Sequence, residues 1–596
     1  MGAHPVGRGV RRAGRGAALL LALRPLAVLV GSVAAVVLLA GCLPWLSGQD
    51  PAQTVLRARQ VERVADPAAL AAVRQELDLA GDPVTGALRW GARALRGDLG
   101  TSWVGGGPVA PAALRALGVS LTLAGLSALA ALAIALVLVT PRILAAGSGD
   151  RRRRDVLTTV VASLAALPEA VVAVLLVVVV SLHLHLLPAT GWTTAAHLVL
   201  PVATLAVCAV GVLTRVLALA VDDVAAEAWT RTWQANGARP LRTSLAVAHR
   251  AVAVVLPQVL LLLAGLVGAA VVVEDTFAIP GLGRLALNAA LSQDIPMVQA
   301  CAVVLVVTGL AVGAAGVLCH RAMTGPALGA GRGVVSGPRP EGRGRLGIAW
   351  WLAAGALLVL VLGGMTRQAA IEPAARHLRP SWAHPLGTDH VGRDVWARVG
   401  HGAVETIGLA VVLSAACLVV GLLVGLRSSG RGAGVTDVLN AVPSVFMGIV
   451  VAAVAGPGLP SACVAVCLVG WIPLAVHTRT LATEARASGF HQAALVAGAG
   501  RWWILRTHLL PVVLRPVLGH AVIRVPHLAL ALTGLSYLGL GAGHDSPEWG
   551  KLLADSVAHA ERAPWVVAAP ALGLVLLGLV ATLALTPSRS VGPAGR

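Results

Sequence analysis

The sequence predicts an all-α, polytopic membrane protein of about 12 transmembrane helices in two six-helix halves. Three observations predict it. Of 596 residues, 57% are apolar and only 12% are charged, too few to cover a soluble protein of that length. The mean hydropathy is +0.82. Apolar stretches of ~20 residues, enough to cross a ~30 Å hydrocarbon core, recur along the chain. Backbone in lipid has to satisfy its own hydrogen bonds, which selects helices over an open sheet.

The stretches lie near 17–43, 117–141, 156–182, 198–221, 252–273 and 297–319, then near 347–364, 404–426, 435–455, 460–481, 512–535 and 565–586. They divide the chain into a first half, 1–323, with a long outside loop at 44–116, and a second half, 347–596. Between them, 324–346 is rich in Gly, Pro and Arg and has no apolar period, so it reads as a flexible cytoplasmic linker joining two once-separate subunits.

Arginine placement sets the orientation. Arg8, Arg11, Arg12 and Arg15 precede the first span, and Arg151 to Arg154 separate the second and third. Arg427 and Arg431 follow the eighth, and Arg589 and Arg596 close the chain. The short opposite loops, 183–197 and 456–460, hold no Arg or Lys, so the positive-inside rule puts both termini in the cytoplasm. Trp45, Trp192, Trp350, Trp351 and Trp565 fall at span ends, as interfacial anchors do. The start of the chain admits two readings. Leu39-Ala40-Gly41-Cys42 after an apolar run resembles a lipoprotein signal, but the run exceeds the 7–15 residues of such a signal and its removal would leave an odd number of spans, which favours an uncleaved helix.

The formal charge of +19 is almost all arginine, with Lys551 as the sole lysine. These arginines sit between apolar stretches and form no basic domain, which argues for membrane topology and against nucleic acid. The seven cysteines lie mostly inside apolar segments without metal or disulfide spacing; Cys463 and Cys467, at i and i+4, read as packing residues. His183, His185, His377, His384, His390 and His401 fall outside the membrane, but two histidines at i, i+2 without a carboxylate make a poor ligand set, so no metal site is expected.

Several local sequences are distinctive. The first half contains Gly97-Asp98-Leu99-Gly100-Thr101-Ser102, Leu187-Pro188-Ala189-Thr190-Gly191 and Phe277-Ala278-Ile279-Pro280-Gly281-Leu282-Gly283-Arg284-Leu285. The second contains His384-Pro385-Leu386-Gly387-Thr388-Asp389 with Gly392-Arg393-Asp394, then Leu535-Ser536-Tyr537-Leu538-Gly539-Leu540-Gly541 with Trp549-Gly550. In this order and spacing they resemble the two permease subunits of the dipeptide/oligopeptide/nickel family of ABC importers, fused in one chain. The resemblance covers almost everything outside the extreme N-terminus and the linker.

That resemblance implies a path formed by two permease halves, driven by two cytoplasmic ABC ATPase subunits and supplied by an extracytoplasmic solute-binding lipoprotein. It implies a bacterial cell membrane and a peptide or nickel-type solute. In this family each half meets its ATPase through a cytoplasmic loop of E-A-A-x-x-x-G pattern, whose short helix docks in a groove. The matching residues are Arg231, Thr232, Trp233 and Gly237 in the first half, and Gln492, Ala493, Ala494 and Gly498 in the second. Small residues let such a helix sit close, and the glycine turns the chain out of the groove. Trp233 departs from the pattern, standing where a small alanine is expected, and the spacing from Gly237 to His249 is about two residues long.

No G-K-[ST] phosphate loop is present, since Lys551 is followed by Leu552, so no cofactor is expected in this chain and ATP with Mg belongs to the partner. The outside segments carrying Pro280, Gly281, Asp389 and Arg393 read either as an outer gate and receptor-docking surface or as simple helix terminations. Arg524, inside the eleventh span, is a candidate path residue, with snorkelling to an interface as the alternative. A secondary transporter with two six-helix repeats is the competing function, but Asp and Glu crowd the span ends rather than the midplane. A membrane-embedded enzyme lacks paired carboxylates, H-E-x-x-H or a nucleophile motif at a shared depth.

Overall fold

The computed structural model describes residues 31, 34, 37–46, 52, 56, 70–73, 83–148, 168–328, 347–427 and 443–584. The arginine run 151–154, Arg431, both chain ends and most of the linker lie outside the described residues.

Described helices in the first half are α1 (Val37–Leu46), α2 (Pro83–Ala94), α3 (Val109–Ser148), α4 (Glu169–Leu176, continued by a π-turn at Val177–His183), α5 (Ala195–Ala225), α6 (Ala228–Ala235), α7 (Pro240–Thr276), α8 (Leu282–Leu291) and α9 (Ile295–Leu328). The second half contributes α10 (Ile348–Met365), α11 (Val395–Ala403), α12 (Leu409–Arg427), α13 (Ser444–Ala455), α14 (Leu459–Gly470), α15 (Ile472–Ala487), α16 (Gly489–Val496), α17 (Arg501–Ile504), α18 (Leu510–Tyr537), α19 (Trp549–Val557) and α20 (Pro564–Ala584). Each of the twelve apolar stretches coincides with a helix or with the described part of one, and nine described segments are long and apolar enough to cross a membrane. The only β pairing among the described residues is two isolated bridges, Thr101 with Pro108 and Thr388 with Asp394. The all-α polytopic expectation holds.

Two spans begin well before the apolar pattern does. The eighth runs from Val395 through a π-turn at Val404–Gly408, and the eleventh from Arg501 through another at Leu505–Leu509. Their first turns carry Arg398 and His401, and Arg501, Arg506 and His508, so hydropathy hides them.

Glycines let helices cross closely, as packing without a hydrophobic drive requires. A Cβ on Gly364 of α10 would stand 2.8 Å from the Cα of Gly400 of α11, and one on Gly268 of α7 would stand 1.8 Å from Pro443 at the head of α13. Helix α13 wedges against α7, α8 and α9, and so ties the second half to the first.

The core has a forked shape. One apolar cluster runs through both halves and includes Leu213 of α5, Leu266 of α7, Leu413 of α12, Val466 of α14 and Leu528 of α18. Further along the same helices it divides. The first half continues as Leu217, Val221, Val247, Ala251 and Val255, the second as Cys417, Leu474, Ala482, Val513 and Val517. The prongs point to the end of the bundle that carries α6 and α16. Among the described residues, the halves pack separately at that end and share one interior at the other.

Candidate functional site: paired short helices and capped loops at opposite ends

At the forked end, α6 and α16 are each eight residues long. Both finish in the same turn. Gly237 N–H donates to Gln234 O at 3.1 Å and Ala238 N–H to Trp233 O at 3.0 Å. In the other half Gly498 N–H donates to Leu495 O at 3.1 Å and Ala499 N–H to Ala494 O at 3.0 Å. The glycines hold φ of +73° and +77°, a left-handed conformation that suits a residue without Cβ, at the end of a helix whose last carbonyls need donors. Arg231, Thr232, Gly237, Gln492, Ala493 and Gly498 are exposed, with Trp233 and Ala494 half-buried.

The two helices differ in how they are held. Thr230 is buried and donates to Val224 O at 3.0 Å, and Gln234 Nε2 donates to Ala146 O at 2.9 Å. Arg250 pairs at 2.9 Å with Glu227, the residue just before α6, which also accepts from Trp229 Nε1 at 2.7 Å. Trp233 meets Trp229 edge-on at 5.3 Å, with the Arg242 guanidinium 5.5 Å from its ring, so it packs on its own chain. Helix α16 buries no residue, and Phe490, Val496 and the following Trp502 are 46%, 90% and 73% exposed. Large apolar side chains thus stand exposed on and beside this helix, where α6 instead folds its aromatic rings onto its own half.

At the opposite end, each half holds a short helix by the same chemistry drawn from different sequence positions. In the first, Ser120 Oγ accepts from Leu282 N–H at 2.8 Å and donates to Glu274 at 2.5 Å, while Glu274 also accepts from Arg284 N–H at 3.0 Å. In the second, Thr406 Oγ1 accepts from Trp549 N–H at 3.0 Å and donates to Glu548 at 3.3 Å. Glu548 accepts from Gly550 N–H at 2.9 Å and Lys551 N–H at 3.0 Å. A hydroxyl from α3 or from the π-turn before α12, plus one buried glutamate, thus satisfies the free N–H groups at the starts of α8 and α19. Glu274 reaches across from the end of α7, whereas Glu548 is the residue just before α19. Burial pushes the Glu548 carboxyl up, and the N–H donors of Gly550 and Lys551 draw it partly back.

Gly281 shows why that turn needs glycine: a Cβ there would lie 2.1 Å from the Glu274 carboxyl carbon. Pro280 beside it is exposed. In the same layer, Ser102 donates to Asp294, which also accepts Trp103 N–H at 3.0 Å, tying the 97–108 loop to the start of α9.

Asp389 and Arg393 meet each other rather than solvent. Asp389 accepts from Val391 N–H at 3.0 Å and Arg393 N–H at 2.8 Å, and pairs with Arg393 Nε and Arg398 Nη1 at 3.0 Å each. Burial alone would raise its pKa, but these donors hold the carboxyl below the usual carboxylate range. Asp394 caps α11 and pairs with Arg367 and with His384. His390 stacks on His559 at 4.8 Å with His377 at 5.1 Å from the same ring, yet no group of three ligand-type residues among those described is placed to hold a metal ion.

Arg524 lies in the middle of α18, far along the chain from both ends of that helix, and its Nε is buried without a hydrogen-bond partner. The structure therefore groups the sequence-predicted residues in three places: the forked end, the capped loops opposite, and mid-bundle. Residues that sequence reasoning missed are Ser120, Thr406 and Glu548, and His477 and His520 near Arg524; His527 stands out in the sequence beside Arg524 as an ionisable residue within the span. Only an isolated acid or hydroxyl near an apolar run marked the first three.

The geometry defines a membrane bundle of two halves, each carrying an eight-residue helix closed by a glycine turn at one end. Comparison with known proteins agrees. The family model for the binding-protein-dependent transport system inner membrane component matches residues 138–324 and 409–586. The chain is 31% identical to the dipeptide transport system permease protein DppC of Alkalihalophilus pseudofirmus, over 35% of this chain and 72% of that protein. It is 33% identical to the probable D,D-dipeptide transport system permease protein DdpC of Escherichia coli, over 35% and 72%, and 29% identical to the nickel transport system permease protein NikC of the same organism, over 35% and 77%. The chain belongs to the family of inner membrane components of binding-protein-dependent transport systems and carries the family's domain twice. It is a multi-pass permease component of an ABC importer, a transport part rather than an enzyme.

Proposed function

We propose that this chain supplies both halves of the path in an ATP-driven importer of small peptides or nickel-type solutes in a bacterial cell membrane. The observation that carries the reading is the pair of exposed eight-residue helices, α6 and α16, closed by the same glycine turn 261 positions apart. Two ABC ATPase subunits, which hold the ATP and Mg, dock on them from the cytoplasm; an extracytoplasmic solute-binding lipoprotein docks at the capped loops. Both termini and the linker between 323 and 347 then face the cytoplasm, and the halves end and begin at those positions. The peptide or nickel assignment follows the named activities of the relatives DppC, DdpC and NikC.

The forked core supports a mechanism. Halves fused at the outer end and separate at the inner end describe an inward-facing state. Closing the ATPases on nucleotide draws α6 and α16 together, closes the fork and strains the shared outer core towards opening, a rigid-body exchange between two packings. The loops carrying Pro280 and Gly281, and Asp389 and Arg393, form the outer gate, these residues holding its shape. Arg524 faces the path between the halves.

The test is uptake into vesicles. Purified chain reconstituted with its ATPases and binding protein is expected to accumulate labelled dipeptide or nickel only with ATP, and not with an imposed proton or sodium gradient alone. Gradient-driven uptake without ATPases would refute the reading. A second expectation concerns the docking turn. Valine at Gly498 meets open space but has to take up the left-handed conformation, at about 1–2 kcal/mol. Gly498→Val is expected to lower uptake about 5–30-fold while the membrane bundle keeps its melting temperature. The same change at Gly237, where α6 is fastened by Glu227 and Gln234, is expected to cost less.

A further inference from the structure

Where the shared core divides, basic side chains gather from both halves. On α18, His520, Arg524 and His527 follow at i, i+4 and i+7 and so line one side of the helix. They sit between Val517, in the second prong, and Leu528, in the shared core. His477 of α15 stacks on His520 at 5.1 Å and follows Leu474, also of the second prong. Arg215 of α5 stands between Leu213 of the shared core and Leu217 of the first prong. Arg215, Arg524 and His527 therefore lie at the level of the fork, and His520 and His477 just inside the second prong.

Across it His527 meets Arg215 of the other half. Arg215 and Arg524 are both within electrostatic reach of His527, although α5 and α18 do not pack closely together. His527 is surrounded by protein on nearly every side yet its side chain is exposed, as in a residue lining an internal cleft. Arg215 is exposed in a stripe with Val212 and Leu219. Among the described residues neither Arg215 nor Arg524 pairs with a carboxylate; Glu484 lies beside His477, Glu169 beside Cys208, and Asp222, two turns beyond Arg215, meets Arg142. An unpaired guanidinium at membrane depth is costly unless water or an anion meets it. In the first half the stretch of α7 around Gln258 is rich in leucine and carries no charge, so Arg215 of α5 is that half's cationic contribution.

We propose that this cluster at the apex of the fork receives the anionic group of the solute, a carboxylate such as a peptide C-terminus, as it crosses. The proposal rests on the reading that the two halves enclose the path. Guanidinium and imidazole offer a carboxylate directed donors, and a low-dielectric cleft strengthens the attraction. A binding site that held the anion by a single full bidentate pair would release it slowly; a spread of weakly placed donors is suited to passage.

The test uses the full chain with its native cysteines replaced by serine or alanine and a single cysteine at Val212→Cys, one turn from Arg215. Inside-out vesicles are treated with two membrane-impermeant thiol reagents of similar size, anionic sulfonatoethyl and cationic trimethylammonioethyl methanethiosulfonate. Relative to a small thiol in solution, the anionic reagent is expected to react about tenfold faster than the cationic one. Glycylglycine is expected to slow the reaction more than glycylglycine amide. Arg215→Gln with Arg524→Gln is expected to erase the preference, and Arg215→Lys with Arg524→Lys to restore it, which separates charge from misfolding. Equal rates, a preference that survives the glutamine variants, or equal slowing by the peptide and its amide would overturn the anion site while leaving the path in place. Failure of both reagents to react would overturn the path reading itself, and the anion site with it.

Discussion

Replacing Asp389 by alanine is expected to destabilise the protein by about 3–5 kcal/mol, seen as a drop in the detergent melting temperature and in folded yield. The carboxylate is 1% exposed and meets Arg393 and Arg398, the latter itself 4% exposed. Without it, Arg398 keeps only a 4.0 Å approach to Asp555, and its Nη2 already lacks a hydrogen-bond partner. A buried guanidinium would be left uncompensated. The backbone N–H groups of Val391 and Arg393 would lose their acceptor as well. Arg393→Ala removes one donor from a carboxylate that retains three and is expected to cost about 1–2 kcal/mol. If both variants melt alike, the network is not organised around Asp389.

Acid offers an independent check on the same group. Hydrogen bonding holds the folded carboxyl below its unfolded value, so its contribution is present above the unfolded pKa of about 3.9 and fades as pH falls through the lower folded value. The stability gap between wild type and Asp389→Ala is therefore expected to stay constant from neutral pH to about 5 and to narrow below about 4. A gap that narrows near neutral pH would contradict the assignment.

The membrane architecture was legible because lipid enforces one rule on every span, and apolar length reports it without knowledge of packing. Legibility failed where a span begins in charged residues, as at Arg398, which the fold buries among carboxylates, and Arg506, which stands exposed at the bundle's end. The paired short helices were legible only through resemblance, and Gly498 shows why: a single glycine after a short helix is an ordinary stop until the matching turn at Gly237 is seen in space. Arg524 and His527 were visible as ionisable residues within a span, but their company was not. Arg215 and His477 approach from two other helices, and no single-sequence period connects them. The caps were least legible. Glu274 precedes α8 by eight residues and Glu548 precedes α19 by one, so the same job carries two sequence signatures.

That shared job yields the second large expectation. Glu274→Ala is expected to cost about 2–4 kcal/mol, since it strips a fully buried acceptor from Ser120 and from the N–H of Arg284, leaving those donors at the start of α8 unmatched. Glu274→Gln keeps one acceptor oxygen but adds an amide that needs its own partner, so about half that loss is expected. The changes act at the turn Ile279-Pro280-Gly281, which closes on Glu274 so tightly that Gly281 has no room for a Cβ. Backbone amide exchange there should therefore quicken before that of α3 or α5, measured by mass spectrometry on the full chain. The decisive comparison is with Ser120→Ala, which removes the hydroxyl that accepts from Leu282 and donates to Glu274. If the cap works as one unit, Ser120→Ala with Glu274→Ala will cost clearly less than the two separate losses added together, because each single change already opens the network. Simple additivity would mean that the hydroxyl and the carboxylate hold the loop independently, and that α8 is positioned by its apolar face, Leu282, Ala286 and Leu287, alone.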